Sequence, residues 1–173
     1  MKVPMLNELE SVNAQFEKHV PYADAAFLVL KSHLVVEVRL LEFIKARVSP
    51  QLFTEIERPR EGSFQVRLLL ARALAERDEI PPDEVDTLWP AVEYLGKLRN
   101  DVAHTLEQPG SKLQDKMRAF IEKVLPEGTF FNGPIGDDAL HNAFRIAAAR
   151  LNVLLAIPRE PLKFSDVELN ADA

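Results

Sequence analysis

Residues 88–106 read LWPAVEYLGKLRNDVAHTL, a segment whose apolar residues recur three, four and seven positions apart. The positions that share this spacing are Leu88, Val92, Leu95, Val102 and Leu106. They fall on one side of an α-helix, so the segment predicts a helix with a single buried face. Asp86 or Thr87 suits the N-cap of this helix, Pro90 would then lie in its first turn, and Pro109 marks its end.

Apolar residues follow the same helical period through most of the chain, with prolines and turn residues between the periodic segments. The other predicted helices cover about residues 5–20, 24–48, 51–57, 63–80, 113–124 and 137–157. Ser63 is the predicted N-cap of the helix that follows it, and Asp137 or Asp138 is the predicted N-cap of the last helix. No segment shows the alternation of a half-buried strand. We therefore expect an all-α fold, a compact helical bundle of about five or six main helices.

Composition sets limits on the organisation and on the chemistry. We expect residues 1–157 to form one helical domain, and residues 158–173 to form a C-terminal arm that lies on the surface or is disordered. The absence of cysteine excludes disulfides, thiolate zinc sites and thiol nucleophiles. A formal net charge of -6 gives no broad attraction for nucleic acid. Without a signal peptide or an apolar span, the chain is expected to be soluble and cytoplasmic, with no membrane contact.

Two charged residues interrupt predicted apolar stripes. In the second helix the predicted buried stripe consists of Leu30, Leu34, Leu41, Ile44 and Val48. Glu37 projects into this stripe, and Arg99 projects beside Leu95 and Val102 in the helix over residues 88–106. Because a buried charge needs a partner, the pattern predicts an ion pair between Glu37 and Arg99. Such a pair either fixes the alignment of two helices or orients Arg99 toward a cleft, and the two roles are compatible.

Arg99 and His104 are the residues best suited to chemistry. A guanidinium holds a phosphate with a fixed fork of donors, and an imidazole moves a proton near neutral pH. Asn100 lies four residues before His104 and shares its helix face. Arg99 and His104 leave a regular helix about 140° apart. A twofold dimer that apposes two such helices would bring both residue types into one groove.

The segment from Tyr94 to His104 resembles the HEPN superfamily, whose members are compact helical bundles with an Arg-x4-6-His motif and typically a polar residue after the arginine. Here the motif reads Arg99-Asn100-Asp101-Val102-Ala103-His104. Residues 32–37 and 64–73 resemble the earlier helices of that family. The resemblance implies a HEPN-like domain over residues 1–157.

The HEPN resemblance implies a metal-independent endoribonuclease that needs no cofactor, usually a homodimer and often a toxin or antiphage effector. His104 would take the proton of the 2′-hydroxyl or protonate the leaving oxygen, Arg99 would stabilise the phosphoryl oxygens, and Asn100 would position them. Glu37 would support Arg99 as its ion-pair partner. RNA would be the substrate, and an antitoxin protein is a candidate partner.

A catalytically inactive regulatory or protein-binding helical module is the alternative, including a mannitol-repressor-like transcriptional regulator. In such a protein Arg99 would pair inward and His104 would be solvated. No helix carries the basic cluster that contacts with duplex DNA require. His33 and Glu37 lie four residues apart on one helix, but no second pair completes a metal site. His33 is therefore expected to be a packing or surface residue.

Overall fold

The computed structural model describes residues 24–57, 63–78, 82–104, 111–125 and 136–156, without the side chains of residues 57, 82–87 and 111. These residues form six helices: α1 (Ala25–Lys45), α2 (Pro50–Glu57), α3 (Phe64–Arg77), α4 (Pro82–His104), α5 (Ser111–Val124) and α6 (Asp137–Ala156). No strand occurs within the described ranges. The predicted all-α bundle is confirmed. The predicted helix over residues 5–20 and the arm over 158–173 lie outside the described residues.

Side-chain caps explain where two of the helices begin. Asp24 precedes α1, and its carboxylate accepts a hydrogen bond from the backbone N–H of Phe27 at 2.9 Å. Ser63 precedes α3, and its hydroxyl accepts a hydrogen bond from the backbone N–H of Val66 at 3.4 Å. Each cap satisfies a donor that has no partner within the first turn of the helix. The predicted cap at Ser63 is confirmed.

The starts of two other helices differ from the prediction. Helix α4 begins at Pro82 rather than near Asp86, so Pro90 lies inside the helix instead of in its first turn. Proline is well suited to the first helical position because no backbone N–H is needed there, which explains the earlier start at Pro82. Helix α6 includes Asp137, and the carbonyl of Gly136 accepts the first backbone hydrogen bond, from Leu140. Helix α6 therefore begins at Asp137, so neither Asp137 nor Asp138 is its N-cap.

Helix α1 lies at the centre of the bundle and packs against α3, α4 and α6, while α5 packs against α4 and α6. The largest side chains in the core include Leu40, Leu95, Met117, Phe120 and Phe144. The rings of Phe120 and Phe144 join α5 to α6 with centroids 4.8 Å apart. In the described part of the chain, no helix is both long and apolar enough to cross a bilayer.

The predicted buried stripe of α1 is wrong. Ile44 is buried, but Leu30 and Leu34 are exposed, with 52% of Leu34 accessible to solvent. The core-facing side is instead formed by Leu28, Val29, Ser32, His33, Val36, Leu40, Phe43 and Ile44. Both sides of α1 carry apolar residues at helical spacing, so periodicity alone could not choose between them.

A buried ion pair joins the ends of α1 and α3. Arg47 Nε lies 2.9 Å from Asp78 Oδ2, and only 4% and 2% of these side chains are exposed. Arg47 also donates to the carbonyl of Phe43 at 3.0 Å and lies over its ring. Arg77 donates to the other oxygen of Asp78 at 2.9 Å. Both carboxylate oxygens are thereby satisfied, as a charge removed from water requires.

Candidate functional site

The motif residues lie in the last turns of α4, where the helix leaves the core. Leu95 and Leu98 are buried, whereas Arg99, Asn100 and His104 are exposed. Residues 99–104 are exposed apart from the half-buried Val102. Arg99 therefore does not occupy the buried stripe in which helical projection placed it.

The side chains of the motif point to two sides of α4. Arg99 Nη1 donates to Asn100 Oδ1 at 3.0 Å, so the guanidinium is oriented by its neighbour in sequence. Asn100 and His104 are four residues apart and share a face of the helix. On a regular helix Arg99 and His104 diverge by about 140°. A single chain presents these two side chains in different directions.

Asp101, in the middle of the motif, contacts α5. Its carboxylate pairs with the Lys116 ammonium, although both side chains are largely exposed. An exposed pair of this kind contributes little to stability, but it links the end of α4 to α5. Asp101 thus has a structural role beside the candidate site residues.

The predicted ion pair between Glu37 and Arg99 is replaced by a pair between Glu37 and Arg67. Arg67 Nη1 lies 2.8 Å from Glu37 Oε1, and 11% and 25% of the two side chains are exposed. Arg67 lies on the core-facing side of α3 opposite Glu37, whereas Arg99 lies on the exposed end of α4. Arg67 is more deeply buried than Arg99, and a buried charge without a partner is more destabilising than an exposed one. The pair of Glu37 with Arg67 is therefore the favoured one.

His33 is the other buried ionisable group at this junction. Its ring packs against that of Phe64 with centroids 4.7 Å apart, and its Nδ1 lies 3.9 Å from Glu37 Oε2. Burial lowers the pKa of His33; the Glu37 carboxylate raises it, and the positive charge of Arg99 lowers it. Arg99 is therefore close enough to this junction for its charge to act on His33. The expectation that His33 packs between helices is met.

Gly96 gives Phe64 the space to reach His33. A Cβ atom added at Gly96 would overlap the Phe64 ring. A larger residue at this position would displace the Phe64 ring from the face of α4. Through this contact α3 meets α4 one turn before Arg99.

We define the junction cluster as His33 and Glu37 of α1 together with Phe64 and Arg67 of α3. Sequence reasoning did not include Phe64 or Arg67 among the site residues. A signal was nevertheless present, because Arg67 is a charge within the apolar stripe of α3. Helical projection, which identified Arg99 as a charge within an apolar stripe, identifies Arg67 in the same way.

The lowered pKa of His33 predicts a pH-dependent stability. Because His33 binds a proton more weakly in the folded protein than in the unfolded chain, its protonation favours the unfolded state. The free energy of unfolding should therefore be fully retained above about pH 6.5 and fall below it, by at most about 1.4 kcal/mol per pH unit for one proton. Urea unfolding across this range checks the slope.

His33→Gln should flatten the pH dependence of stability, whereas His104→Gln, which changes an exposed side chain, should leave it in place. Equal slopes for the native protein and His33→Gln would contradict the assignment. Because only the slopes are compared, a constant loss of stability caused by the glutamine side chain in His33→Gln does not affect the result.

Comparisons of the chain with protein-family models, curated proteins and solved structures find no match. Within the described ranges, no three histidine or acidic side chains lie close enough together to hold a metal ion. The candidate site consists of the exposed residues Arg99, Asn100 and His104.

Proposed function

We propose that the chain is a HEPN-type, metal-independent endoribonuclease that acts through a composite Arg/His site at a homodimer interface. The supporting observation is that Arg99, Asn100 and His104 are all exposed at the end of α4 while Glu37 is engaged by Arg67. The Arg99 guanidinium, oriented by Asn100, thus retains donors for a phosphate. A cytoplasmic toxin or antiphage effector controlled by an antitoxin protein is the biological role that fits this activity.

The proposed reaction is an in-line displacement at phosphorus in single-stranded or loop RNA. The 2′-oxygen forms a bond to phosphorus as the bond to the 5′-oxygen breaks, which leaves a 2′,3′-cyclic phosphate and a 5′-hydroxyl. The His104 imidazole takes the 2′-hydroxyl proton, and the leaving 5′-oxygen takes a proton from the solvent. Arg99 stabilises the charge on the nonbridging oxygens, and Asn100 orients the groups that bind them.

The divergence of Arg99 and His104 on α4 is the reason for proposing a dimer. A twofold axis near the end of α4 would place Arg99 of one protomer near His104 of its partner. Such a groove contains two copies of each side chain. The two copies form two Arg99/His104 pairs, each with one residue from either protomer.

Mixing two inactive variants tests the composite site. Arg99→Gln and His104→Ala should each be inactive alone, and both should fold because the substituted side chains are exposed. In a mixed dimer one Arg99 and one His104 remain together across the interface. When equal amounts exchange subunits at random, half of the dimers are mixed, and each mixed dimer has one intact site out of two. The mixture should therefore regain roughly a quarter of the native rate.

The assay follows RNA cleavage in excess chelator and detects the cyclic phosphate ends of the products. No recovery on mixing active-site variants that are shown to exchange subunits would contradict the composite arrangement. Monomers alone in sedimentation at micromolar concentration would also contradict it. RNA left intact by the native protein over a broad panel of substrates would contradict the nuclease proposal itself.

A regulatory or protein-binding module remains the second candidate, favoured by an apolar surface on α1. Leu30, Leu34 and Val38 lie four residues apart along one side of this helix and are exposed. An apolar stripe of this kind suits a helical partner, and the net charge of -6 gives no general attraction for RNA. Native protein that leaves RNA intact would favour this function.

A further inference from the structure

One side of α1 is apolar and exposed. Helical projection places four of its residues within about 80° of one another, on the side opposite the core-facing residues. We call these four residues the outer stripe: Phe27, Leu30, Leu34 and Val38. The described helices that pack on α1 leave the outer stripe accessible to solvent. A row of large exposed apolar side chains marks a surface that another element covers.

The segment that precedes α1 has an apolar row of the same kind. Residues 5–20, which lie outside the described residues, carry apolar side chains at spacings of four and three: Met5, Leu9, Val12, Phe16 and Val20. On the helix that the sequence predicts there, these five positions also fall within about 80° of one another. The predicted helix therefore has one apolar face to bury.

We propose that residues 5–20 form a helix that folds back on α1 and covers the outer stripe of the same chain. This inference goes beyond the proposed reaction, because the outer stripe contains none of the motif residues on α4. A helical partner from another chain would have to displace residues 5–20 before it could reach α1.

The short connection between the two segments supports this arrangement. Residues 21–24 separate the predicted helix from α1, and they include Pro21, which ends a helix, and Asp24, which caps α1. Helices joined by about two to five residues run antiparallel, side by side. The outer stripe is the apolar side of α1 that the described helices leave open for such a neighbour.

The two apolar rows match in length and in register when the chain turns at residues 21–24. Both helices advance about 1.5 Å per residue, so residues at equal distances from the turn lie opposite each other. The facing pairs are then Phe16 with Leu30, Val12 with Leu34, and Leu9 with Val38. Each pair removes two apolar side chains from water, which stabilises the contact.

Chain continuity favours residues 5–20 over a second copy of the protein as the cover of the outer stripe. A segment that four residues tie to α1 has an effective concentration of roughly millimolar. A second copy in a micromolar solution is about a thousandfold more dilute. The segment of the same chain therefore occupies the outer stripe first.

Disulfide formation between introduced cysteines tests the contact in the full chain, which has no cysteine of its own. Val12→Cys combined with Leu34→Cys should form a disulfide within one chain, because facing residues of packed helices come within its reach. Ala14→Cys combined with Leu34→Cys is the matched control, since residue 14 lies about 160° from residue 12 around the predicted helix. The control pair should form its disulfide at least about tenfold more slowly in mild oxidant, as measured by mass spectrometry and non-reducing electrophoresis.

Thermal unfolding gives a second measurement that needs no cysteine. Leu34→Ala should lower the melting temperature by about 5 °C, because truncating a leucine covered by another helix leaves a cavity. Leu69→Ala, which truncates a more exposed leucine on α3, is the control and should shift it by less than about 2 °C. Val12→Ala combined with Leu34→Ala should lose less than the sum of the single losses, since the two changes remove one shared contact.

Three outcomes would overturn the proposal. Disulfides that join two chains rather than one would assign the outer stripe to a second copy. Equal rates for the Val12→Cys and Ala14→Cys pairs, or no disulfide in either, would show that residues 5–20 do not dock with their apolar face on α1. A melting temperature that changes as little in Leu34→Ala as in Leu69→Ala would show that the outer stripe is open to a partner protein.

Discussion

Replacing Asp78 with alanine is expected to lower the free energy of unfolding by about 3–5 kcal/mol, the cost of removing one partner from a buried ion pair. Only 2% of the Asp78 side chain is exposed, and its two oxygens accept hydrogen bonds from Arg47 and Arg77. The Arg47 guanidinium, itself buried against Phe43, would lose its carboxylate without access to water. Urea denaturation monitored by circular dichroism measures the change.

Glu42→Ala is the matched control for Asp78→Ala. Glu42 also accepts a hydrogen bond from an arginine, Arg39, at 2.6 Å, but 55% of its side chain is exposed. Exposed pairs contribute about 0–1 kcal/mol, so this variant should remain close to the native stability. A loss below about 1 kcal/mol for Asp78→Ala would show that the buried pair is not a major contribution to the fold.

The buried faces of helices with one apolar face were predictable from sequence, and that of α1, which has apolar residues on two sides, was not. In the helix predicted over residues 113–124, the apolar residues at helical spacing, Leu113, Met117, Phe120, Ile121 and Val124, are all buried. Helix α1 carries two possible stripes, and its contacts with α3, α4 and α6 select the side that contains Leu28 and Leu40. This selection is a tertiary effect, because a period of 3.6 residues describes any side of a helix equally.

The charged contacts were less predictable than the helices, for two physical reasons. Arg47 and Asp78 lie just beyond the ends of α1 and α3, where helical projection gives no direction. Arg99 lies within a helix, but no residue of α4 after Leu98 is buried, and projection does not reveal where burial stops. Glu37 was correctly selected as a charge in need of a partner, yet the partner is Arg67.

The motif itself could be located by sequence, while its surroundings could not. Arg99, Asn100 and His104 were selected for their chemistry and their spacing, and all three are exposed in the structure. The contact of Gly96 with Phe64, and of Phe64 with His33, joins three helices that are distant in sequence. Only tertiary packing brings these residues together, so the influence of Arg99 on His33 emerged from the structure alone.

His104→Ala is expected to reduce the rate of RNA cleavage by on the order of 10²-fold or more, as loss of general acid–base catalysis does. The side chain is exposed at the last residue of α4, so its removal opens no cavity in the core. The melting temperature should therefore remain near that of the native protein. Rates are compared under single-turnover conditions in chelator, which separates the chemical step from product release.

His141→Ala provides the control for His104→Ala, since it removes an imidazole from a different helix, α6, which carries no motif residue. This control should cleave RNA at close to the native rate. A nuclease activity that persists in His104→Ala would show that another group moves the protons, and would remove the reason for a composite site. A loss of activity accompanied by a large fall in melting temperature would instead assign His104 a structural role, because an exposed general base is not required for folding.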